Sequence, residues 1–397
     1  MDPVGLKQCV VQEIDKLSPE LLRISAEIYS HPEVGYEERF ASQLLAAALE
    51  RAGFSVQRNV AGLETGFIGT ITGRAPSPPI AILAEFDALP GLGHACGHNL
   101  IATAALGAGL GLHPLMNEIE GTLMIAGAPA EEKVGGKIAF VEQGVFKDTA
   151  AALMIHPRGE TQLGRVFLAT TNVEMVFHGK SSHAAAAPEQ GVNALDACIA
   201  TFNGTNALKK HLRDDARLHG VILEGGTAAN IVPERARAVF SVRARDRVYL
   251  EQVVTKVKAC AQAGAMMAGA SVEIIVMPIC AEMKFNRVLS DAFGQNAAAL
   301  GHRVLPIDTV VGGGSTDMGN VSQVVPSIHP FIKIGDSTLT PHTREFLEAA
   351  GSARAQHAML DAAKILALTA IDLWNDSALL RQAWDEFGGG FKWNTVH

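Results

Sequence analysis

The sequence lacks the features that mark several large classes of protein. It contains no uninterrupted run of about 18 apolar residues, the length that a membrane-spanning helix needs. Its N-terminal segment has no basic stretch followed by an apolar run, so we expect no secretory signal and a cytoplasmic location. The basic residues form no block or stripe, and the net charge is −8, so we expect neither a nucleic-acid nor a membrane partner.

Cysteine is also scarce. The 5 cysteines are odd in number and widely spaced, which argues against a disulfide framework. Only Cys96 stands in a stretch rich in glycine and histidine, GLGHACGHN, which suggests a chemical role for its thiol. A chain of 397 residues, 48% of them hydrophobic, exceeds the size of most single cores, so we expect two domains.

Strand and helix patterns alternate in the first part of the chain, as in IAILAEF, IATAALGAGLGL and GTLMIAGA. This alternation predicts an α/β domain with a mostly parallel central sheet. The first helix is predicted to begin near Ser18, a candidate N-cap, with Pro19 at the first helical position. A change of pattern then predicts an inserted α+β domain at 169–283, between catalytic parts at 1–168 and 284–397.

Several polar residues follow the predicted strands directly. Asp87 follows IAILAEF, Glu131 and Glu132 follow GTLMIAGAPA, and His156 ends AALMI. Because the ligands of a parallel sheet gather beyond the carboxyl ends of its strands, we expect these side chains to form one cluster. Adjacent carboxylates can divide two tasks, one binding a metal and the other taking a proton from water, although solvated acidic pairs are also common.

Cys96 and His98 are separated by one glycine immediately before a predicted helix. Thiolate and imidazole both bind zinc-like ions, and a glycine between them lets the backbone fold closely around a metal. The alternative is a polar loop that caps the helix. His156 can be either a functional residue or an ordinary core histidine. His342, in the polar stretch TLTPHTREF, can be either a functional residue or an ordinary surface histidine.

The stretch GGGSTDMGN lacks the Gly-Lys-Ser/Thr ending of a nucleotide-binding loop. It suits either a close approach of the backbone to a small substrate, with Gly313 as the candidate residue, or a flexible turn. In the inserted domain, His183 is expected on an exposed loop, as a functional imidazole or a helix cap. Asn230 precedes a β-branched pair and a proline, where it can bond a substrate or make a turn.

Eight motifs, in order between Leu21 and Ala370, resemble the aminoacylase and carboxypeptidase family of dinuclear metallohydrolases. They are DALPG, HACGHN, APAEE, IHP, GKSSHAAAAPEQGVNALDA, GGTAANIVPERA, STDMGNVSQVVPSIHP and HTREF. The branch that they resemble most contains p-aminobenzoyl-glutamate hydrolases, auxin-conjugate amidohydrolases and β-alanyl-lysine dipeptidases. The resemblance implies a zinc-peptidase-like catalytic domain with an inserted lid and dimerisation domain.

The resemblance also implies a role for each matching residue. It assigns metal binding to Cys96, His98, Glu132, His156 and His342. It makes Glu131 the general base and Asp87 the acid that supports the metal site. In the lid, His183 matches a histidine that stabilises the oxyanion, often across a dimer interface, and Asn230 matches a substrate contact. Asn99 departs from the pattern, because many members of the branch carry Asp there, although the β-alanyl-dipeptidase-like members show Asn.

Together, these observations predict a metal-dependent hydrolase that cleaves the amide bond of a small N-acyl amino acid or dipeptide. We expect two divalent ions as cofactors, zinc, manganese or cobalt, and a homodimer or a larger homo-oligomer. One alternative is a dipeptidase that acts on β-alanyl or ordinary dipeptides. The other is a non-catalytic binding module that kept the fold without the chemistry.

Overall fold

In the computed structural model, which describes residues 1–133, 135–310 and 314–388, the first helix, α1, spans Pro3–Ser30. The prediction that this helix begins near Ser18 is wrong, because Pro19 lies inside the helix and Asp2 caps its start. A continuous buried stripe explains the difference; its residues, each at most 1% exposed, are Leu6, Val10, Ile14, Leu21, Ile24 and Ile28. Packing of this stripe outweighs the backbone hydrogen bond lost at the proline.

The first of two compact units contains Met1–Val166, Met283–Val310 and the segment from Asp317 onward. Its apolar runs form strands and its Ala/Leu-rich runs form helices, as predicted. Up to Val166, the elements after α1 are α2 (Arg39–Arg51), β1 (Ser55–Arg58), β2 (Phe67–Thr72), β3 (Ile80–Ala84), α3 (His98–Leu112), β4 (Thr122–Gly127), α4 (Gly136–Glu142), β5 (Ala151–Leu153) and β6 (His156–Arg158).

The second unit contains Phe167–Glu282 together with residues 314–316. Its elements are β7 (Ala169–His178), α5 (Ala194–Lys209), β8 (Arg217–Glu224), β9 (Arg235–Ala244), α6 (Arg247–Ala268) and β10 (Ser271–Val276). The strands form an antiparallel sheet in the order β10-β7-β9-β8, so β8 lies at an edge. A core of its own, which includes Phe177, Phe240 and Val253, lies between this sheet and the two helices.

The chain then contributes a second set of elements to the first unit. They are α7 (Arg287–Ala299), α8 (Met318–Val321), β11 (Ser327–Ile328), β12 (Phe331–Lys333), α9 (Arg344–Ala350), α10 (Ala353–Asn375) and α11 (Ser377–Phe387). Strand β12 pairs with β6 in parallel, with Phe331 opposite His156 and Lys333 opposite Arg158. This pairing joins two distant parts of the sequence beside a predicted site residue.

The central sheet of the first unit has the strand order β1-β2-β4-β3-β5-β11. Strands β4, β3, β5 and β11 pair in parallel with one another, whereas β2 pairs antiparallel with β1 and β4. The prediction of a mostly parallel sheet is therefore confirmed. Strands β3 and β4 are buried along their whole lengths, as strands covered on both faces must be.

Helix α3 is buried along its whole length in the core of the first unit. Among the described residues, the span His98–Glu118 is long and apolar enough to cross a membrane. However, 89% of the apolar 18-residue stretch within this span is buried inside the structure. Glycines allow close packing, since a Cβ at Gly111 would lie 2.4 Å from Ile14 of α1 and one at Gly109 would lie 2.9 Å from Ile125 of β4. The burial is that of a core helix.

Candidate active site

Gly97 lies between Cys96, in the loop after β3, and His98, the first residue of α3. Gly97 has φ +78°, the left-handed conformation that side chains rarely adopt. A Cβ at this position would also lie only 2.5 Å from Pro157. Glycine is therefore required both by the turn and by the close approach of strand β6, and both neighbouring side chains are buried.

Asp87 connects His98 to the loop that follows β4. One of its carboxylate oxygens lies 2.9 Å from Nδ1 of His98, and the other accepts the backbone N–H of Glu132 at 3.0 Å. The contact with Asp87 fixes the His98 ring, and its buried Nε2 has no hydrogen-bond partner among the residues that the structure describes. A carboxylate behind a ligating imidazole is the arrangement that orients histidine toward a metal.

Glu131 and Glu132 follow a turn that a fully buried glutamate holds in place. Ala130, just before the pair, has φ +58°, and its backbone N–H donates to Glu38 at 2.7 Å. Glu38 also accepts the hydroxyl of Thr65 at 2.9 Å. The turn brings an oxygen of each glutamate of the pair to 3.9 Å from Nε2 of His98.

His156 lies at the start of β6, with Nε2 3.4 Å from Sγ of Cys96. Its Nδ1 lies 2.9 Å from the carbonyl oxygen of Pro157, which can only accept, so the proton is assigned to Nδ1 and Nε2 is left as a ligand. The ring stacks on His329, a fully buried residue, with a centroid distance of 5.5 Å. Both contacts hold the ring toward the thiol.

His342 belongs to the loop before α9. It has φ +66°, and its backbone N–H donates to the carbonyl oxygen of Ala95 at 2.9 Å, which joins this loop to the one that carries Cys96. Its Nε2 lies 3.2 Å from Oε1 of Glu132. A histidine far along the sequence thus completes the cluster.

These contacts bring five predicted ligands and the predicted base together. Within each of three groups, the ligand atoms lie within 4.8 Å of one another: Cys96, His98 and His156; Cys96, Glu132 and His342; and His98, Glu131 and Glu132. Imidazole, thiolate and carboxylate are the usual ligands of zinc-like ions. The buried Nε2 of His98, which has no hydrogen-bond partner among the described residues, also fits such a cluster.

Other predicted residues lie in the second unit or outside the described residues. His183 is exposed on a loop, as predicted, and its Nδ1 accepts the backbone N–H groups of Ala185 and Ala186. Asn230 is also exposed, and its backbone carbonyl accepts the N–H of Ala184 at 3.0 Å, so it lies beside His183. Gly313 lies outside the described residues.

A buried ion network behind Glu131 was not singled out by the sequence. Lys137, which is fully buried, pairs with Glu85 at 2.6 Å and with Asp317. Oxygens of Glu85, Asp317 and Glu131 form a further group within 4.8 Å. Burial opposes the charge of Lys137, but Asp317 and Glu85 outweigh it and raise the pKa of its ammonium. This cation balances the charge of the carboxylates around Glu131.

The pKa values of the adjacent glutamates shift in opposite directions. Burial, then the charges of Glu85 and Glu132, raise the pKa of Glu131 well above its usual range. Burial also acts to raise the pKa of Glu132, but its hydrogen bond to His342 and the charge of His98 hold it below the ordinary value. One carboxyl therefore holds a proton readily while its neighbour stays ionised, which suits a base beside a ligand.

The sulfur and nitrogen ligands show the effect of burial. Burial raises the pKa of the Cys96 thiol well above its usual range, despite the opposing charge of His98. Burial also lowers the pKa of His156 to about 3, so this imidazole is neutral at pH 7. A neutral imidazole is ready to bind a metal, whereas the thiol must lose its proton as the metal binds.

Asn99 directs its amide nitrogen to α1. That nitrogen donates to the hydroxyl of Ser25 at 3.1 Å, and both residues are buried. The departure from the aspartate of many branch members therefore joins α3 to α1 through a neutral hydrogen bond. A neutral amide suits this buried position, because its burial costs less free energy than that of a carboxylate.

Comparison with known proteins adds to this geometry. A family model described as a peptidase dimerisation domain matches residues 168–266. A Xaa-Arg dipeptidase of Mus musculus is 38% identical over 411 residues, covering 96% of this chain and 92% of the mouse protein. A subunit of the p-aminobenzoyl-glutamate hydrolase of Escherichia coli (strain K12) is 31% identical, and the match covers 91% of both chains.

A solved structure is also similar. A dinuclear metal-binding peptidase of the M20 family from Bacillus subtilis superposes with a TM-score of 0.68 at 21% identity, covering 91% of this chain and 99% of that one. This likeness shows a shared fold. The two sequence relatives are matched over more than nine tenths of this chain.

Proposed function

This chain belongs to the aminoacylase and carboxypeptidase family of metallohydrolases, the M20 peptidases, and we propose that it hydrolyses the amide bond of a small N-acyl amino acid or dipeptide. A free amino acid is one product. The names of the mouse and E. coli relatives support both substrate types. The observation that carries the proposal is the convergence of cysteine, histidine and glutamate side chains beside the carboxyl group of Glu131.

We propose that the ligand cluster holds two divalent ions, zinc, manganese or cobalt. The ligands are Cys96, His98, Glu132, His156 and His342. The mixture of thiolate, imidazole and carboxylate supports this assignment, as does the orientation of His98 by Asp87. When bound, such ions make a water molecule more acidic and polarise an amide carbonyl.

In the proposed reaction, Glu131 takes a proton from the attacking water. The water oxygen forms a bond to the amide carbon, the bond from that carbon to nitrogen breaks, and Glu131 passes the proton to the leaving amine. The raised pKa of Glu131 supports the second transfer, because a carboxyl that holds its proton can deliver it later. Asp87 keeps His98 in place throughout.

We further propose that 169–283 form a lid and dimerisation domain between catalytic parts 1–168 and 284–397. In this domain His183 stabilises the oxyanion. Its Nδ1 accepts two backbone N–H groups, so the ring proton is assigned to Nε2, which can donate to a developing negative charge. Asn230, which lies beside it, and Gly313 are proposed to contact the substrate.

A homodimer is the proposed assembly. The match to a dimerisation domain supports it, and so does the edge strand β8, in which Val221 is 51% exposed and Leu223 is 49% exposed. An exposed apolar edge strand is a ready site for pairing with another chain. The cytoplasmic location expected from the sequence remains a prediction, to be checked by cell fractionation.

The central test is Glu131→Gln. Because this change removes the base and keeps the shape of the side chain, we expect normal metal content by elemental analysis and a fall in kcat of at least about a hundredfold. Glu142→Gln, at an exposed position of α4, is the matched control and should retain full activity. The substrates are N-acyl amino acids, p-aminobenzoyl-glutamate and β-alanyl dipeptides, each with zinc, manganese or cobalt added back to chelated enzyme.

Two results would contradict the proposal. Full activity of Glu131→Gln would remove Glu131 as the base, and equal losses in both variants would point to a general effect of charge. Comparison of kcat/KM across the panel also separates the two substrate types, because an acyl-amino-acid hydrolase and a dipeptidase differ in which compounds they cleave fastest.

A further inference from the structure

Arg158 places a positive charge beside the ligand cluster. It lies two residues after His156 in β6, and alternate residues of a strand point to the same face. The carbon of its guanidinium lies 5.1 Å from the centre of the Phe331 ring. That ring packs at 6.0 Å from His156 and 5.4 Å from His329, so the guanidinium and the ligand ring share one aromatic neighbour.

A second guanidinium lies close to the first. Burial lowers the pKa of Arg158, and the nearby charge of Arg165 lowers it further, while Asp308 acts in the opposite direction. The charge of Arg158 also affects His329, which stacks on His156: burial lowers the pKa of the His329 imidazole, and the charges of Lys137 and Arg158 lower it further. Arg165 therefore adds a second positive charge near Arg158.

Neither guanidinium has an anionic partner within the part of the chain that the structure describes. The Nε of Arg165 is buried and forms no hydrogen bond with any described residue. Asp308, the nearby carboxylate, instead accepts the backbone N–H of Val310 at 2.9 Å. A half-buried, unpaired pair of like charges is unfavourable in the free protein, and an added carboxylate would relieve it.

We propose that Arg158, together with Arg165, binds a carboxylate of the substrate. The guanidinium group suits this task because its N–H groups match the two oxygens of a carboxylate. The inference rests on the proposed function, since the carboxylate belongs to the compound whose amide bond is cleaved. It is either the α-carboxylate of the released amino acid or a carboxylate in its side chain.

A binding measurement tests this without turnover. Isothermal titration calorimetry on the full, metal-loaded chain compares four ligands that differ only in their carboxylates: glutamate, glutamine, isoglutamine and glutaminamide. Arg158→Gln should weaken binding of glutamate about ten- to a hundredfold, as expected for loss of a charged hydrogen bond, and leave glutaminamide unchanged. If Arg158→Gln weakens the binding of glutamine by the same factor, the bound group is the α-carboxylate. If it weakens the binding of isoglutamine by that factor, the bound group is the side-chain carboxylate. Arg158→Lys, which keeps the charge, should restore part of the affinity.

Lys333→Gln is the matched control. Lys333 stands opposite Arg158 on the neighbouring strand, but its ammonium is already paired with Glu160 at 3.0 Å. The control removes the same unit of charge from the same place in the sheet and should leave all four affinities unchanged. A wild-type chain that binds none of the ligands, or binds glutaminamide as tightly as glutamate, would overturn the proposal.

Equal losses for all four ligands in Arg158→Gln would also overturn it, because they would show that Arg158 only positions His156. The hydrolase function fails separately, by absence of turnover on every substrate with every metal. Binding that depends on Arg158 in a chain without turnover would leave the carboxylate site standing and remove the reaction.

Discussion

At the scale of single residues, the candidate active site depends on backbone conformations that most side chains avoid. Ala130 and His342 have φ +58° and +66°, at a cost of roughly 1–2 kcal/mol each. Specific hydrogen bonds hold both, since the backbone N–H of Ala130 donates to Glu38 and that of His342 donates to Ala95. Strain of this kind is concentrated where the chain must present ligands in a fixed direction.

The importance of the backbone conformation at Gly97 can be measured by substitution, with another glycine of the same loop as the control. Gly97→Ala should lower the free energy of unfolding by about 2–4 kcal/mol and reduce metal content, because the added methyl group meets both a left-handed φ and Pro157. Gly91 has φ +70° but nothing within 4 Å of its added Cβ. Gly91→Ala should therefore cost only about 1 kcal/mol and retain the metal. Denaturant unfolding and elemental analysis give both quantities, and equal losses in the two variants would refute the role of the close approach.

The candidate ligand residues could be singled out from the sequence because they lie in short motifs or at strand ends, as Cys96, His98 and Glu132 do. Lys137 and Asp317 could not, since they are separated by 180 positions and meet only in the folded chain. Glu38 was equally hidden, because its partner Ala130 gives no chemical signal in the sequence. A buried charge of this kind can be identified only once its partner is known, and here each partner comes from a distant segment of the chain.

At the scale of elements, helix α1 shows how packing overrides a local signal. Ser18 and Pro19 have the residue types of a helix start, and the sequence predicts one there. The actual helix passes through them, because its buried stripe continues on both sides. Elsewhere, the type of each element could be predicted, because the local pattern and the burial in the fold favour the same structure. The apolar runs of β3 and β4 form buried strands, and the Ala-rich run of α3 forms a buried helix.

The internal proline therefore carries a measurable cost. Pro19 is exposed, so Pro19→Ala changes little packing and restores a backbone N–H donor; we expect the free energy of unfolding to rise by about 1–3 kcal/mol. Pro3, in the first turn of the same helix, is the control, and Pro3→Ala should change stability by less than about 0.5 kcal/mol. Thermal and denaturant unfolding would decide; a destabilised Pro19→Ala would mean that the proline relieves strain in α1.

Strand β8 offers a second test at this scale. Val221→Glu combined with Leu223→Glu places charges on its exposed apolar surface, and we expect the proposed dimer to dissociate to monomers in analytical ultracentrifugation. Met266→Glu, at a position of α6 that is 81% exposed, adds charge elsewhere in the same unit and should leave the dimer intact. A wild-type chain that sediments as a monomer at all concentrations would exclude the dimer itself.

At the scale of the whole molecule, the described residues form two separate hydrophobic cores. One includes Leu21, Ile82 and Ile365 of the first unit, and the other includes Phe177, Phe240 and Val253 of the second. All the candidate ligands lie in the first unit. Metal binding should therefore stabilise one core directly and the other not at all.

Differential scanning calorimetry can separate these contributions. We expect two transitions, of which metal shifts only one to higher temperature, by the equivalent of about 4 kcal/mol when free metal is a thousand times its Kd. Chelator should return that transition to its original position. A single transition that moves as a whole would show that the two units unfold together.

The first unit is discontinuous in sequence, which sets the order of events during synthesis. A ribosome must pass Asn375, the end of α10, before α1 and α3 can complete the core that they share with it. The strands and helices of the second unit, all between Ala169 and Val276, leave the exit tunnel earlier and can fold first. Until α10 has been synthesised, the apolar surface of α3 that packs against it stays uncovered. We therefore expect α3 to be the segment that a chaperone would have to cover.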